Sequence, residues 1–323
     1  MARSARSLLR YLTLMVSATV AGSAHAQLDP ALPEYAPRDG VTGSIKSVGS
    51  DTMNNLMTFW AEEFMREYPG VTVEVTGKGS STAPPALTEG QSQFGPMSRA
   101  MKASESDSFE ARHGYKPTQM RTGIDCLAVF VHKDAPIESL TLYQIEQIFS
   151  VSGDDMTWGD LGVEDPRFKF RPITLYGRNS ASGTYGYFKK MALNGSDYKP
   201  SVKEQPGSSS VVQAVGSDPF SMGYSGLGFQ TQDVKALSIS VDDEEPVEPS
   251  GENAYSGDYP LARFLYVYVN KDPARPLDPL REEFIRLVFS RQGQEAVLKD
   301  GYFPLSNAVA VGQLKQLGLE PRL

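Results

Sequence analysis

Pro172-Ile173-Thr174-Leu175-Tyr176 is an apolar, strand-like run. It leads through Gly177-Arg178-Asn179-Ser180-Ala181-Ser182-Gly183-Thr184 into Tyr185-Gly186-Tyr187-Phe188-Lys189-Lys190-Met191-Ala192-Leu193, which reads as a helix ended by Asn194-Gly195. A strand, a small polar loop and a helix in this order make one βα unit. The loop sits where a helix begins, with unpaired backbone N–H groups and positive dipole character. Ser and Thr hydroxyls add donors, Gly lets an anion approach the backbone, and Arg178 adds a planar charged fork. These are the parts of an oxyanion site, although a Ser-rich loop before a helix also serves as a plain N-cap.

Working outward, the same chemistry recurs twice. Gly49-Ser50-Asp51-Thr52-Met53 joins a strand at 43–48 to a helix at 52–68, and Gly77-Lys78-Gly79-Ser80-Ser81-Thr82 joins a strand at 71–76 to a short helix opening at Pro84-Pro85. The 52–68 helix carries Met53, Leu56, Met57, Trp60 and Phe64 on one face of a 3.6-residue repeat and stops at Pro69-Gly70. Strands alternating with helices predict an α/β architecture, in which ligands bind at the βα turns beyond the carboxyl ends of the strands. Three turns of one chemistry predict an anion held from more than one side.

Two further apolar runs, 124–131 and 264–269, flank a self-contained block containing helices at 142–149 and from 209, and a helical stretch at 280–299 follows them. This pattern predicts one lobe interrupted by a second, joined by two crossing strands. The expected division is 27–124 with 267–323 for lobe 1 and 125–266 for lobe 2. One continuous domain is the alternative.

The first 26 residues read as a secretory signal. Arg3, Arg6 and Arg10 precede an apolar stretch too short to span a bilayer, and Ala24-His25-Ala26 fits a cleavage site before Gln27. No cysteine follows that stretch, so no lipid anchor is expected, and the mature protein is expected in the periplasm. The formal charge of −8 becomes −11 once the three arginines of this acid-free segment are removed, which argues against nucleic acid as a partner. Cys126 is the only cysteine and lies in an apolar run, so it reads as a buried structural thiol. The acidic segment 241–251 lacks the alternating spacing of a calcium loop. Neither a metal nor a cofactor is expected.

Four segments together resemble the periplasmic phosphate-binding proteins of the phosphate ABC importers (PstS type). They are Gly49-Ser50-Asp51-Thr52, Gly79-Ser80-Ser81, Phe94-Gly95-Pro96-Met97-Ser98-Arg99, and Gly177-Arg178 through Ser182-Gly183-Thr184. The likeness continues in 142–150 with Trp158 and in Met222-Gly223-Tyr224-Ser225, and covers essentially the mature chain. It implies a type II periplasmic-binding-protein fold with a ligand cleft between two lobes. It also implies inorganic phosphate as ligand, an ABC permease as partner, and a monomer. The site it implies uses Thr52 and the Met53 backbone, Ser80, Arg178, and a cradle of Ser182, Gly183 and Thr184.

One departure bears on selectivity. Better-known members carry an aspartate close to where Met97-Ser98 falls, and it accepts the proton of bound phosphate. Sulfate has no such proton and meets a repulsive acceptor. Here Ser98 and Arg99 occupy that segment. Asp51 is the candidate replacement acceptor, or else the N-cap of the 52–68 helix. Arg99 is a second anion ligand, or else a salt-bridge residue. Two other readings stand beside phosphate capture: the same fold taking sulfate, and an exported phosphatase or hydrolase. The latter has little to work with. The mature chain has only His113 and His132, and Gly223-Tyr224-Ser225-Gly226-Leu227 lacks the last Gly of a nucleophile elbow.

Overall fold

The computed structural model describes residues 28–242, 244–320 and 322. The signal-like segment 1–26 lies outside them. The alternation read from the sequence is present. In chain order the elements are β1 (Gly43–Gly49), α1 (Asn54–Glu67), β2 (Val71–Gly77), α2 (Ala83–Thr88), β3 (Phe94–Met97), α3 (Ala103–His113) and β4 (Thr118–His132). Then come β5 (Ser139–Thr141), α4 (Leu142–Phe149), β6 (Thr174–Arg178), α5 (Gly183–Met191), β7 (Lys203–Gln205), α6 (Ser208–Ser217) and β8 (Ser221–Gly226). The chain ends through β9 (Val234–Ala236), β10 (Ser238–Ser240), α7 (Gly251–Ser256), β11 (Ala262–Val269), α8 (Pro279–Val288), α9 (Arg291–Lys299) and α10 (Asn307–Gln316).

Local chemistry accounts for the helix ends. Thr141 Oγ1 accepts from the Gln144 N–H at 2.9 Å while Gln144 Oε1 accepts from the Thr141 N–H at 2.8 Å, a reciprocal capping box that starts α4. Ser182 Oγ accepts from the N–H groups of Thr184 and Tyr185 and starts α5. The helical stretch read over 280–299 is two helices, because Ser290 interrupts it and caps α9 by accepting from the Gly293 N–H at 3.2 Å. Helix α1 begins at Asn54 rather than 52, which leaves Ser50–Thr52 in the turn ahead of it.

The main sheet runs in the order β2-β1-β3-β11-β4-β8-β6-β7, with β9 added alongside β4. β1 pairs in parallel with β2 and β3, and β6 pairs in parallel with β7 and β8. The two long central strands, β4 and β11, pair antiparallel to each other and link the two parallel groups. Two large cores flank this crossing, beside two smaller clusters around Phe130 and Phe109. One packs Trp60, Phe64, Phe94, Leu265, Val267 and Phe284 among its members. The other packs Cys126, Phe149, Trp158, Phe188, Tyr224 and Leu261. Ile124, on β4, packs against both. This is a two-lobed α/β fold whose lobes share β4 and β11 at their junction. Cys126 is buried in the second core, where burial pushes its thiol well above its ordinary range.

Candidate functional site: hydroxyl turns and two arginine–aspartate pairs

The carboxyl ends of five parallel strands point their following turns at one place between the lobes. From lobe 1 come Ser50–Thr52 after β1, Gly79–Ser81 after β2 and Ser98 after β3. From lobe 2 come Ser182–Thr184 after β6 and Gly207–Ser208 after β7. The turns touch across the cleft. Thr52 Oγ1 lies 2.9 Å from Thr184 Oγ1 and 3.5 Å from Ser208 Oγ. The Ser81 N–H donates to the Ala181 carbonyl at 3.1 Å. Gly183 must be glycine at this junction, since a Cβ there would fall 2.3 Å from Ser80 Oγ and 2.6 Å from Ser98 Oγ. Gly79 is constrained in the same way. Its φ is +113°, and a Cβ would fall 2.6 Å from the Ala181 carbonyl oxygen.

The hydroxyls are arranged as donors. Each of four accepts a hydrogen bond from behind. Ser80 Oγ accepts from the Ser98 N–H at 3.0 Å, and Ser182 Oγ from the Thr184 N–H at 3.1 Å. Thr184 Oγ1 accepts from Arg263 Nη2 at 3.0 Å, and Ser208 Oγ from Arg178 Nη1 at 2.5 Å. A hydroxyl has one proton to give and two lone pairs, and at least one lone pair of each of these oxygens is already engaged. Ser80, Ser182, Thr184 and Ser208 are all buried. A cluster of buried O–H groups backed by N–H donors is rich in donors and poor in acceptors, which is the complement of an oxyanion.

Two arginines stand in this cluster, each with an aspartate. Arg178, at the end of β6, is buried, and burial pushes its guanidinium below its ordinary range while Asp51 opposes the shift. Its Nη2 lies 3.0 Å from Asp51 Oδ2 across the cleft and 3.2 Å from the Pro206 carbonyl, which accepts from it. Its Nε is buried without a hydrogen-bond partner among the described residues. Asp51 Oδ2 also accepts from the Ser208 N–H at 3.0 Å, so Asp51 caps α6 of the opposite lobe. Helix α1 itself has no side-chain cap, and the alternative in which Asp51 caps the helix that follows it is corrected by this geometry. The second pair is Arg263 with Asp125, which face each other in register on β11 and β4. Nε and Nη2 of Arg263 both donate to Asp125 Oδ2, at 2.9 and 2.7 Å.

Of the residues singled out in the sequence, Asp51, Thr52, Ser80, Ser98, Arg178, Ser182, Gly183 and Thr184 converge here. Met53 turns its side chain into the lobe 1 core. Arg99 takes the salt-bridge alternative. Its fork donates to Glu105 at 2.8 and 2.7 Å, with a longer bond to Ser81 Oγ at 3.3 Å, so it lines the site's edge with its charge already matched. Three participants were missed: Ser208, Asp125 and Arg263. Pro206-Gly207-Ser208-Ser209-Ser210 is a fourth loop of the same Gly-plus-hydroxyl type, in the place where the sequence predicts only a helix start. Asp125 is a lone charge inside an apolar run, and Arg263 immediately precedes the other one. Opposite charges placed in two buried crossing strands were the available signal. The histidines lie in other company. His113 stacks on Phe109 and bonds the Thr88 carbonyl, and His132 accepts from the Asp134 N–H.

Comparison with known proteins places the chain in a family. The PBP superfamily domain matches residues 34–292. The phosphate-binding protein PstS of Pseudomonas aeruginosa is 51% identical over 321 residues, covering 97% of this chain and 99% of that protein. The phosphate-binding protein PstS of Bacillus subtilis is 27% identical over 267 residues, 82% of each chain. Among solved structures, a substrate-binding protein from Clostridium perfringens with bound phosphate superposes with a TM-score of 0.70 at 25% identity, covering 82% of this chain and 100% of that one. With its two lobes, its crossing strands and an anion-complementary cleft accounted for, the chain belongs to the PBP superfamily and, within it, to the family of the phosphate-binding proteins PstS.

Proposed function

We propose that this chain captures inorganic phosphate between its lobes and delivers it to an ABC-type permease. The observation that carries this reading is the donor surplus: four buried hydroxyls, each backed by its own hydrogen-bond donor, beside a buried arginine with a free Nε. In this reading Arg178 meets the phosphate charge. Thr52, Ser80, Ser98, Ser182, Thr184 and Ser208 present hydroxyls, and Met53 and Gly183 present backbone N–H groups. Donors from both lobes make the ligand bind the closed form better than the open one, which is the condition for ligand-driven closure. Closure is then what a permease would distinguish. The protein performs no chemistry on its ligand and works in the periplasm as a monomer after loss of residues 1–26, without metal or cofactor.

Selectivity for phosphate over sulfate rests, in this reading, on Asp51. Its carboxylate lies against Arg178 and can accept the proton that phosphate carries and sulfate lacks. Calorimetry of the mature protein tests the whole proposal. Phosphate is expected to bind tightly with one site per chain and to survive excess sulfate. Sulfate binding with equal affinity would replace phosphate by oxyanions in general. No heat with either anion would remove the reading altogether.

A further inference from the structure

Arg263 is used by neither the ligand contacts nor the cleft-crossing pair, yet its guanidinium touches everything that has to move together. It lies on β11, one of the two strands joining the lobes, with its side chain 2% exposed. Nε and Nη2 hold Asp125 Oδ2 on the other joining strand. Nη1 donates to the Ser98 carbonyl at 3.0 Å, in the lobe 1 turn after β3. Nη2 also donates to Thr184 Oγ1 at 3.0 Å, in the first turn of α5 in lobe 2. Thr184 Oγ1 in turn reaches Thr52 of lobe 1 at 2.9 Å.

We propose that Arg263 is a positioning residue that couples oxyanion binding to lobe closure: it fixes Thr184 as a hydrogen-bond donor to the ligand and ties both ligand-bearing turns to the hinge at a single closed angle. This rests on the phosphate reading above. Two properties of arginine carry it. Its donors lie in one rigid plane, so the bonds to Ser98 and Thr184 can be made at once only when the two turns stand at one separation. Rotation of the lobes about β4 and β11 breaks at least one of them. Arginine nitrogens only donate, so Thr184 Oγ1 accepts a hydrogen bond from behind and keeps its own proton to direct outward. Asp125 keeps the fork from swinging, because two N–H groups converge on one of its oxygens. The Tyr187 ring, 5.5 Å from the guanidinium carbon, covers the other side. Lysine would keep the charge opposite Asp125 but offers no rigid fork.

Arg263→Lys is the test, with phosphate as the probe on the full mature protein. Phosphate affinity by calorimetry is expected to fall about tenfold, the loss of one charge-assisted bond. The compaction that phosphate causes, read by small-angle scattering or by fluorophores on the two lobes, is expected to shrink. The rise in melting temperature at saturating phosphate is expected to fall, while the ligand-free melting temperature changes little. Unchanged affinity and unchanged compaction overturn the proposal, as does a melting temperature lowered equally with and without phosphate. If Arg263→Lys does not fold, Arg263→Met with Asp125→Leu keeps the junction packed without charge, and wild-type phosphate affinity in that variant overturns the proposal too. Wild-type protein that fails to bind phosphate would instead refute the underlying functional reading, so the two failures are distinguishable.

Discussion

The two arginine–aspartate pairs at the centre of this molecule use the same chemistry in different surroundings. Arg263 and Asp125 sit opposite each other on neighbouring strands, with side chains 2% and 1% exposed. Arg178 and Asp51 come from different lobes, and while the arginine is 1% exposed the aspartate is 28% exposed. A pair buried on one sheet has no water at hand to replace either charge. Burial pushes the Asp125 carboxyl up, and only Arg263 and a nearby backbone N–H oppose it. A pair that spans a cleft loses its partner whenever the lobes part, and an aspartate open to water tolerates that loss. In the proposed reading, one pair is therefore part of the frame, and the other is part of what opens and closes on it.

The sharpest way to break the comparison is to remove the buried acid. Asp125→Ala leaves Arg263 charged and unpaired at the junction, and folding stability is expected to drop by about 3–5 kcal/mol. Urea denaturation should show a lower midpoint with an unchanged slope. A loss below about 1 kcal/mol would put Asp125 in the class of Asp51, with water standing in for the missing partner.

Arg178→Ala removes the arginine of the other pair. Its effect is expected in binding instead of folding. Phosphate affinity should fall by about two orders of magnitude or more, roughly 3 kcal/mol for a buried charge-assisted contact. Stability should change little or rise slightly, because burial already holds the Arg178 guanidinium below its ordinary range and deletion relieves that strain. Near-unchanged calorimetric binding would take Arg178 out of the site.

The contrast also explains what could be read before the structure. The alternating elements and the hydroxyl turns were legible because each depends on residues close in sequence: a period of 3.6 along α1, or Gly and Ser before α5. The helix α3 was not, because only Phe109 of its eleven residues is buried and no apolar stripe marks it. Its absence from the reading hid Glu105, and with it the reason Arg99 is matched at the edge of the site. Asp125 and Arg263 were passed over for a different reason. Their meaning lies in a strand register that joins residues separated by 138 positions, and composition alone does not pair them. Asp51 was legible as an acid beside a ligand turn, but not as the cap of a helix in the opposite lobe.

Asp51→Asn sharpens the comparison from the mobile side. Asparagine can still accept from the Ser208 N–H, so the cap on α6 is kept while the charge facing Arg178 is removed. Phosphate affinity should change by less than tenfold, whereas the excess of sulfate needed to displace phosphate should fall by a larger factor. Equal losses for both anions in competition calorimetry would show that Asp51 acts as a latch between lobes and not as the acceptor that reads the ligand's proton.

The smallest expected effect concerns a half-buried carboxyl, Asp300, with no arginine among the groups that act on it. Asp300 follows α9 and faces the start of α1, where the Leu56 backbone and the Asn55 side chain favour its charged form, and its Oδ2 has no partner among the described residues. Burial, reinforced by the charge of Asp125, raises it from the usual 3.8 to about 7. The folded state therefore holds this proton more tightly than the unfolded chain does. Between these two values stability falls as pH rises, and the full penalty is present above about pH 7. Asp300→Asn keeps an acceptor for the Leu56 N–H and removes the titration. After allowance for the side chain's partial contact with water, the variant should be more stable than wild type by roughly 1–2 kcal/mol at pH 8 and equal to it near pH 4. Melting temperatures across that range decide the matter. A gap between the two proteins that stayed constant with pH would mean that Asp300 does not titrate there, and that a half-buried acid at this junction manages without an arginine because the N-terminus of α1 serves in its place.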